Sequence, residues 1–270
     1  MARNLARTVL GMVEAFFTPL PDAGRYLAAD ATAGPWSLRH QHGGPPSALL
    51  VHESEGAARA HTGRGDLDAL RVSVDFLGPV PVGEVDVATR VVRAGRSAVL
   101  VEAELTAGGR PVLQSRTWLV RRADDSPASD ELPVAHPDEA TELAAWTFPY
   151  GTAIEWRPVS GDPVGRGPAT VWARQRVPVV AGVEPSGLQR AVCVADSSSG
   201  ISSELSWDEW SFANVDVDVH LVRPVVGEWV LLESRTRLSA GGSGLATSTL
   251  HDGLGVVGAS AQTLVVQALP

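Results

Sequence analysis

Cysteine is almost absent from this chain: Cys193 is the only one among 270 residues. An intramolecular disulfide is therefore impossible, which agrees with a reducing compartment. Long apolar runs are also absent, and Arg3, Arg7 and Glu14 interrupt the first 17 residues. The chain offers neither a signal-peptide core nor the roughly 20 apolar residues of a membrane span. These absences predict a soluble, cytoplasmic protein with no membrane span.

Positive charge is scarce as well. Lys and Arg together number 22 against 31 Asp and Glu, which gives a formal net charge of −9. Such a balance argues against a nucleic-acid groove, because phosphate backbones are bound by basic surfaces. The hydrophobic content of 44% is ordinary for a globular protein, and the length suits one or two domains. We therefore expect no nucleic-acid partner.

Several familiar site motifs are missing. No Gly-x-Ser-x-Gly elbow occurs, which argues against a Ser-His-Asp hydrolase of that type. The seven histidines lack zinc-ligand spacing, and His40 and His42 are too close for a typical ligand pair. Cys193 has no His near it in the sequence, so we interpret it as a small core residue. The sequence therefore predicts no metal and no cofactor.

The most conspicuous stretch that is present is residues 42–50, HGGPPSALL. Its two glycines suit a tight turn and a close approach of backbone. Pro45 and Pro46 suit the first turn of a helix, where the N–H groups have no partner inside the helix. We predict a helix over residues 45–60. Apolar alternation and glycine turns then predict strands over four segments: residues 70–76, 85–92, 99–106 and 112–120.

A similar pattern recurs in the second half of the chain. Apolar residues at helical spacing predict a helix that begins near Ser186 and continues past Asp196 towards Leu205. Residues 148–167 resemble a loop, because they are rich in proline and glycine. Strands are predicted over five segments: residues 170–180, 215–221, 228–238, 245–251 and 256–266.

The order of these elements indicates an internal duplication. Residues 76–84 align with 221–228, and residues 109–118 align with 253–262, which makes Trp118 the counterpart of Gln262. The alternative to a duplication is a chance similarity between two ordinary α+β domains. The duplication predicts an α+β protein with two antiparallel sheets, each wrapped around a central helix and joined into one extended sheet. The predicted domains are residues 1–122 and 146–270, with a polar, proline-bearing linker over residues 123–145.

This arrangement resembles the tandem, or double, hot-dog fold. The motifs are similar to those of thioesterase-like proteins related to bacterial type II acyl-CoA thioesterases. Residues 42–50 resemble the helix-start motif of that group, and residues 195–200 resemble its second helix, which carries a catalytic Asp. Residues 214–224 resemble the strand that leads into its Arg-Pro, and residues 256–262 resemble the last strand, which carries a catalytic Gln.

The resemblance implies a function and a set of site residues. In that family an Asp, a Thr or Ser, and a Gln hold the hydrolytic water. Asp196 and Gln262 match two of these positions, whereas Asn214 stands at the hydroxyl position. The expected reaction is attack of water on an acyl-CoA thioester, with Asp196 as base or water anchor. A carboxylate whose pKa is raised by burial would suit that role best. The backbone N–H groups of Gly43 and Gly44 are candidate oxyanion donors.

Other interpretations stay open. Asp196 could serve only as a helix cap, and the Gly43-Gly44 pair could be only a tight turn. Trp207 and Phe212, with Trp210, could line an acyl tunnel or simply pack at the junction of the two halves.

Two rival functions remain as well. A non-catalytic acyl-CoA-binding protein would explain Asn214 as the mark of a decayed site. An enoyl-CoA hydratase or dehydratase would need an Asp and a His placed together on a hot-dog helix and its lead-in, and no Asp-x-x-x-x-His pair is present there. Because hot-dog sheets often pair further, we also expect a homo-oligomer.

Overall fold

The computed structural model describes residues 15–123 and 136–269. In the first half, the helix α1 begins at the proline-bearing turn and ends at Thr62, directly before Gly63, whose φ of 66° lies in the left-handed region. In the described residues two short strands precede this helix, and the four predicted strands follow it. The elements are β1 Phe17–Pro19, β2 Arg25–Ala28, a 3₁₀ turn Asp30–Thr32, α1 Gly44–Thr62, β3 Leu67–Phe76, β4 Glu84–Ala94, β5 Ala98–Ala107 and β6 Arg110–Arg121.

The second half repeats this order with additions. Residues 124–135 of the predicted linker lie outside the described residues, and a 3₁₀ turn Pro137–Glu139 follows them. The remaining elements are α2 Pro149–Ala153, β7 Ile154–Ser160, β8 Ala169–Gln175, α3 Gly187–Ala195, α4 Ser198–Ile201, β9 Trp210–Asn214, β10 Asp216–Leu221, β11 Trp229–Ser239, β12 Ser243–Asp252 and β13 Gly255–Ala268.

Two of the local predictions for this half are wrong. The segment expected to be a loop holds α2 and β7, because the buried Trp156 packs in an aromatic cluster that local composition does not reveal. The second helix ends at Ala195 instead of continuing towards Leu205. There the Ser198 hydroxyl donates a hydrogen bond of 2.6 Å to the Ala195 carbonyl, which competes with regular helix bonding.

The 13 strands of the described residues pair antiparallel in one continuous sheet. The order is β1-β2-β4-β5-β6-β3-β10-β13-β12-β11-β8-β7, and β9 pairs with β13 off this path. The two halves meet where β3 pairs with β10, with Val72 opposite Val219. This junction protects two strand edges, so the prediction of one extended sheet is confirmed.

The register confirms the duplication residue by residue. Leu105 pairs with Leu113 and Leu250 pairs with Gly258, so adding 145 to each first-half number gives its counterpart. Both hairpins also carry a bulge directly after this pair. The same shift makes Thr117 the counterpart of Gln262, so the alignment with Trp118 is wrong by one residue. A one-residue shift would put the counterpart on the opposite face of the strand.

The two central helices pack directly on each other inside the wrapped sheet. Gly44 lies so close to α3 that a Cβ atom there would come within 2.0 Å of the Cys193 carbonyl oxygen. Cys193 itself is fully buried, in keeping with its interpretation as a core residue. None of the helices in the described ranges is long and apolar enough to cross a membrane.

Candidate active site

A histidine–carboxylate pair lies where the two halves meet. Asp196 follows the last residue of α3, and His42 immediately precedes the glycine turn that begins α1. The His42 Nδ1 atom lies 3.0 Å from Asp196 Oδ2, and their side chains are 12% and 4% exposed. The second half thus supplies the acid and the first half supplies the imidazole, which a search within one half could not find.

The contacts of His42 determine which ring nitrogen carries the proton. An ionised Asp196 carboxylate can only accept, so the 3.0 Å contact requires a proton on Nδ1. The Gly44 amide lies 3.2 Å from the same Nδ1 atom and also within reach of the Asp196 carboxylate. Since a protonated Nδ1 cannot accept, we assign the Gly44 N–H to the carboxylate. This assignment leaves Nε2 of His42 as the basic nitrogen.

The structure brings Asn214 and Gln262 to the same carboxylate. Asn214 Nδ2 donates to Asp196 Oδ1 at 2.8 Å and to the Asp216 carbonyl at 2.9 Å. Gln262 Nε2 donates to the Asp196 carbonyl at 3.0 Å and to Oδ1 at 3.2 Å. Gln262 Oε1 accepts from the Ser199 N–H at 3.1 Å. The three residues predicted to form the site therefore converge.

These contacts set the charge state of Asp196. Burial raises the pKa of this carboxyl, but His42, Asn214 and the Gly44 amide favour the ionised form, and the net result is a lowered pKa. Asp196 therefore lacks the raised pKa that would best suit a general base. A carboxylate with a lowered pKa is a weak base, yet it is well suited to hold an imidazole in one tautomer and to stabilise its protonated form.

Tyr150, on the short helix α2, holds the other side of His42. Their rings stack with centroids 3.8 Å apart and an interplanar angle of 7°. The Tyr150 hydroxyl donates to the Cys193 carbonyl at 2.8 Å, and its oxygen lies 3.1 Å from Ser197 Oγ. Burial raises the pKa of this hydroxyl, so it stays protonated. The sequence does not single out Tyr150, because it lies in the segment interpreted as a loop, and it marks His42 only as the first residue of the helix-start motif.

Both predicted glycines lie beside the pair but do not line the cavity in front of it. A Cβ atom on Gly43 would come within 2.6 Å of the Phe76 ring and 2.8 Å of Asp196 Oδ2. Gly44 has its amide directed at the pair and its α-carbon against α3. Both glycines are therefore needed for close packing. Oxyanion binding by the Gly43 amide stays a prediction, whereas the Gly44 amide, the other predicted donor, already bonds within the pair.

A cavity of about 540 Å³ opens in front of the pair. His42, Asp196 and Asn214 form part of its polar end, whereas Gln262 is buried behind it. Of the three aromatic residues left open above, Trp207 and Phe212 line the cavity and Trp210 does not. The aromatic residues of its walls are Trp36, Trp146, Phe148, Tyr150, Trp156, Trp207 and Phe212.

A smaller cavity of about 260 Å³ lies at the opposite ends of the two central helices. It is related to the first by the 145-residue shift, since Pro79 lines one cavity and Pro224 lines the other. The counterpart of Asn214 there is Ala69, and the nearest helix carboxylate is Glu55. No aromatic side chain is among the described residues that line it. Across residues 15–123 and 136–269, no group of three or more His, Cys, Asp or Glu could hold a metal ion.

Two family profiles match the chain. The profile of the acyl-CoA thioesterase N-terminal domain matches residues 32–120, and that of the C-terminal domain matches residues 128–266. The chain belongs to the acyl-CoA thioesterase family. The two profiles meet near the boundary between the halves, so the thioesterase family shares the tandem architecture described here.

Solved structures agree on the fold of this thioesterase family member. A hot-dog protein of unknown function from Alicyclobacillus acidocaldarius has a TM-score of 0.71 at 15% identity, covering 92% of this chain and 95% of its own. A candidate thioesterase from Novosphingobium aromaticivorans has a TM-score of 0.68 at 22% identity, covering 93% and 98%.

A third solved structure is the acyl-CoA thioesterase II TesB2 from Mycobacterium marinum, with a TM-score of 0.67 at 14% identity, covering 93% of this chain and 94% of its own. No curated protein sequence matches the chain significantly. At these identities the likeness shows the double hot-dog fold, and the activity has to be argued from the site.

Proposed function

We propose that this protein hydrolyses acyl-CoA thioesters in the larger cavity, with water as the nucleophile. The observation that carries the proposal is the contact between His42 and Asp196 at the polar end of an aromatic cavity. The family supports acyl-CoA as the substrate. A base beside an apolar cavity is the arrangement that a thioester needs, because its acyl group is apolar and its carbonyl must meet an activated water.

In this mechanism His42 is the general base and Asp196 orients it. Nε2 takes a proton from water while the water oxygen attacks the thioester carbonyl carbon. When the tetrahedral intermediate collapses, the C–S bond breaks and Nε2 returns the proton to the CoA sulfur. The products are a carboxylic acid and free CoA. Asp196 stabilises the imidazolium that forms between the two steps, as its lowered pKa allows.

Asn214 and Gln262 act as positioning residues for this pair. Gln262 is fully buried, and its amide already bonds Asp196 and Ser199, so it holds the carboxylate and the α4 backbone in place. Asn214 donates to the carboxylate from the cavity side. Asn214 would therefore replace the hydroxyl of the family pattern as a donor to Asp196.

The same pair also favours a second candidate function, hydration of enoyl-CoA. That reaction needs an Asp and a His together, and the fold supplies them from opposite halves although neither half contains both. Water would add across the double bond, with its hydroxyl on C3 and a proton on C2. Thioester hydrolysis remains the leading proposal because the family is named for it.

The test measures CoA thiol release and loss of the enoyl double bond in parallel, with a panel of saturated and enoyl-CoAs. We expect wild type to release thiol and His42→Gln to lower kcat about 100-fold or more. His61→Gln, at the exposed end of α1, is the matched control and should keep the wild-type rate.

Two outcomes would contradict the leading proposal. Loss of the double bond without thiol release would establish the hydratase instead. Binding of acyl-CoA with no turnover of any substrate would establish a non-catalytic binding protein.

A further inference from the structure

We propose that the acyl group accepted by this cavity carries an aromatic or similarly flat ring, close to its carbonyl, rather than a long linear alkyl chain. This inference rests on the proposed function for the identity of the ligand as an acyl-CoA. It goes further by assigning the chemical class of the acyl moiety.

One wall is a cluster of three aromatic rings near the opening. Trp36 and Trp207 stack with centroids 4.9 Å apart and an interplanar angle of 30°. Phe212 meets both edge-on, at 5.2 Å from Trp36 and 4.6 Å from Trp207. Trp36 is nevertheless 46% exposed, so this aromatic wall is accessible to a ligand. An exposed tryptophan at the mouth of an apolar cavity is a typical mark of a binding surface.

The other wall is a second aromatic cluster that leads to the catalytic pair. Trp146 meets Trp156 edge-on with centroids 4.8 Å apart. Trp156 contacts Tyr150 at 6.4 Å, and Tyr150 stacks on His42 at 3.8 Å. The Trp156 indole also donates to the Gly151 carbonyl at 2.9 Å, which fixes its orientation. Ring contacts therefore connect Trp146 to His42 without interruption.

Such walls select between acyl groups of equal carbon number. Rings have few rotatable bonds, and here they are packed against one another, so the cavity is largely formed before the ligand enters. Aromatic faces and edges attract another ring beyond the gain from buried area, whereas an alkyl chain gains area alone. A linear chain would also lose more rotamer freedom on binding. Each of these contributions to the binding free energy favours an acyl group that carries a ring.

Charge narrows the class further. Asp196 is the only acidic residue, and neither Lys nor Arg occurs, among the described residues that line the cavity. An acyl group that carries a free carboxylate would therefore meet a negative charge without a Lys or Arg to pair with. We infer a neutral ring, of a size that suits a cavity of about 540 Å³, which lies in the usual range for small ligands.

The test compares two acyl groups of nine carbons each, 3-phenylpropanoyl and nonanoyl. Binding is measured with non-hydrolysable CoA thioethers through quenching of tryptophan fluorescence, and turnover is measured with the true thioesters. We expect the phenyl compound to bind at least about tenfold more tightly and to show a correspondingly higher kcat/KM.

Trp207→Leu should lower the affinity for the phenyl thioether about tenfold and change the affinity for the nonanoyl thioether less than threefold. Trp118→Leu is the matched control, since Trp118 does not line the cavity, and it should leave both affinities unchanged. Circular dichroism checks that each variant is folded.

Equal or tighter binding of the nonanoyl thioether would overturn this inference, as would an equal loss for both ligands in Trp207→Leu. Failure of the proposed function has a different signature. In that case the phenyl thioether binds selectively while neither thioester is hydrolysed.

Discussion

The two cavities at opposite ends of the paired helices come from the same repeated unit, yet they differ in nearly every chemical respect. Among the described residues, the larger one has seven aromatic side chains in its lining and a histidine–carboxylate pair. The smaller one has Glu55 bonded to Gln189 at 2.7 Å, and Ala69 where the larger has Asn214. The carboxyl groups of the two cavities also have opposite pKa shifts. The pKa of Asp196 is lowered, whereas burial raises the pKa of Glu55.

The backbone around them differs far less. Strand pairing, the hairpin bulges and the proline after the central strand all repeat with one constant shift. The comparison teaches that the repeated fold requires only apolar alternation and turn residues. The chemical differences between the two cavities lie in a few side chains at the helix ends, among them His42, Asp196 and Asn214.

The largest effect should come from breaking the pair itself. We expect His42→Gln and Asp196→Asn each to lower kcat about 100- to 10,000-fold, and the double variant to lose no more than the worse single variant. If His42 and Asp196 work as one unit, removing either side chain already removes the function of both. Steady-state kinetics of the four proteins measures the coupling. Additive losses would show that the two residues act separately.

The next effect concerns the helix contact that places the pair. Gly44→Ala should lower the free energy of unfolding by about 1–3 kcal/mol or more, because the new Cβ would overlap the Cys193 carbonyl. Gly56→Ala is the matched control in the same helix, where a Cβ meets nothing within 4 Å. It should raise stability by about 0.5–1 kcal/mol. Urea unfolding distinguishes them, and equal changes of the same sign would refute the close-packing role.

A smaller effect should follow from giving the larger cavity the residue of the smaller one. Asn214→Ala copies Ala69 and removes the 2.8 Å donor to Asp196. We expect kcat to fall about tenfold, equivalent to about 1.4 kcal/mol, with KM changed less than threefold. Asn214→Thr, which restores a hydroxyl, should recover part of the loss. A change confined to KM would instead make Asn214 a substrate-binding residue.

The smallest effect separates the two carboxyl groups by pH. Since the pKa of Asp196 is lowered on folding, its ionised form adds stability above about pH 4, and this is lost as the pH falls through the folded-state pKa. Since the pKa of Glu55 is raised, its stabilising contribution is present below about pH 4 and is lost as the pH rises.

Thermal unfolding between pH 3 and pH 7 checks both signs, with Asp196→Asn and Glu55→Gln each compared with wild type. The stability advantage of wild type over Asp196→Asn should grow with pH. That over Glu55→Gln should shrink. If the stability difference between wild type and variant changed with pH in the same direction for both variants, the assignment of opposite pKa shifts would be contradicted.

Much of the fold could be predicted because its strands alternate and its turns use glycine and proline. Strands β3 to β6 and the helix α1 follow directly from such local patterns. Strand β7 could not be predicted, because its burial depends on an aromatic cluster built from distant residues. The counterpart of Gln262 was misplaced for a related reason. Glycine turns locate a hairpin only to within one residue, whereas strand pairing fixes the register.

The candidate site was predicted only in part. Asp196, Asn214 and Gln262 were named from a resemblance, and the structure brings them together. The contact of His42 with Asp196 joins residues far apart in the chain, and no local pattern encodes such a pair. Only the position of His42 directly before the glycine turn could have pointed to it. The ring of Tyr150 beneath it needs the tertiary structure.

The proposed function requires that one of the two related cavities hydrolyses acyl-CoA. Its most direct test is kcat/KM for thiol release by Asp196→Asn and Glu55→Gln, which change one carboxyl in each cavity. We predict that Asp196→Asn loses at least about 100-fold and that Glu55→Gln stays within about twofold of wild type. A wild-type rate in Asp196→Asn, or an equal loss in Glu55→Gln, would contradict hydrolysis of acyl-CoA in the larger cavity.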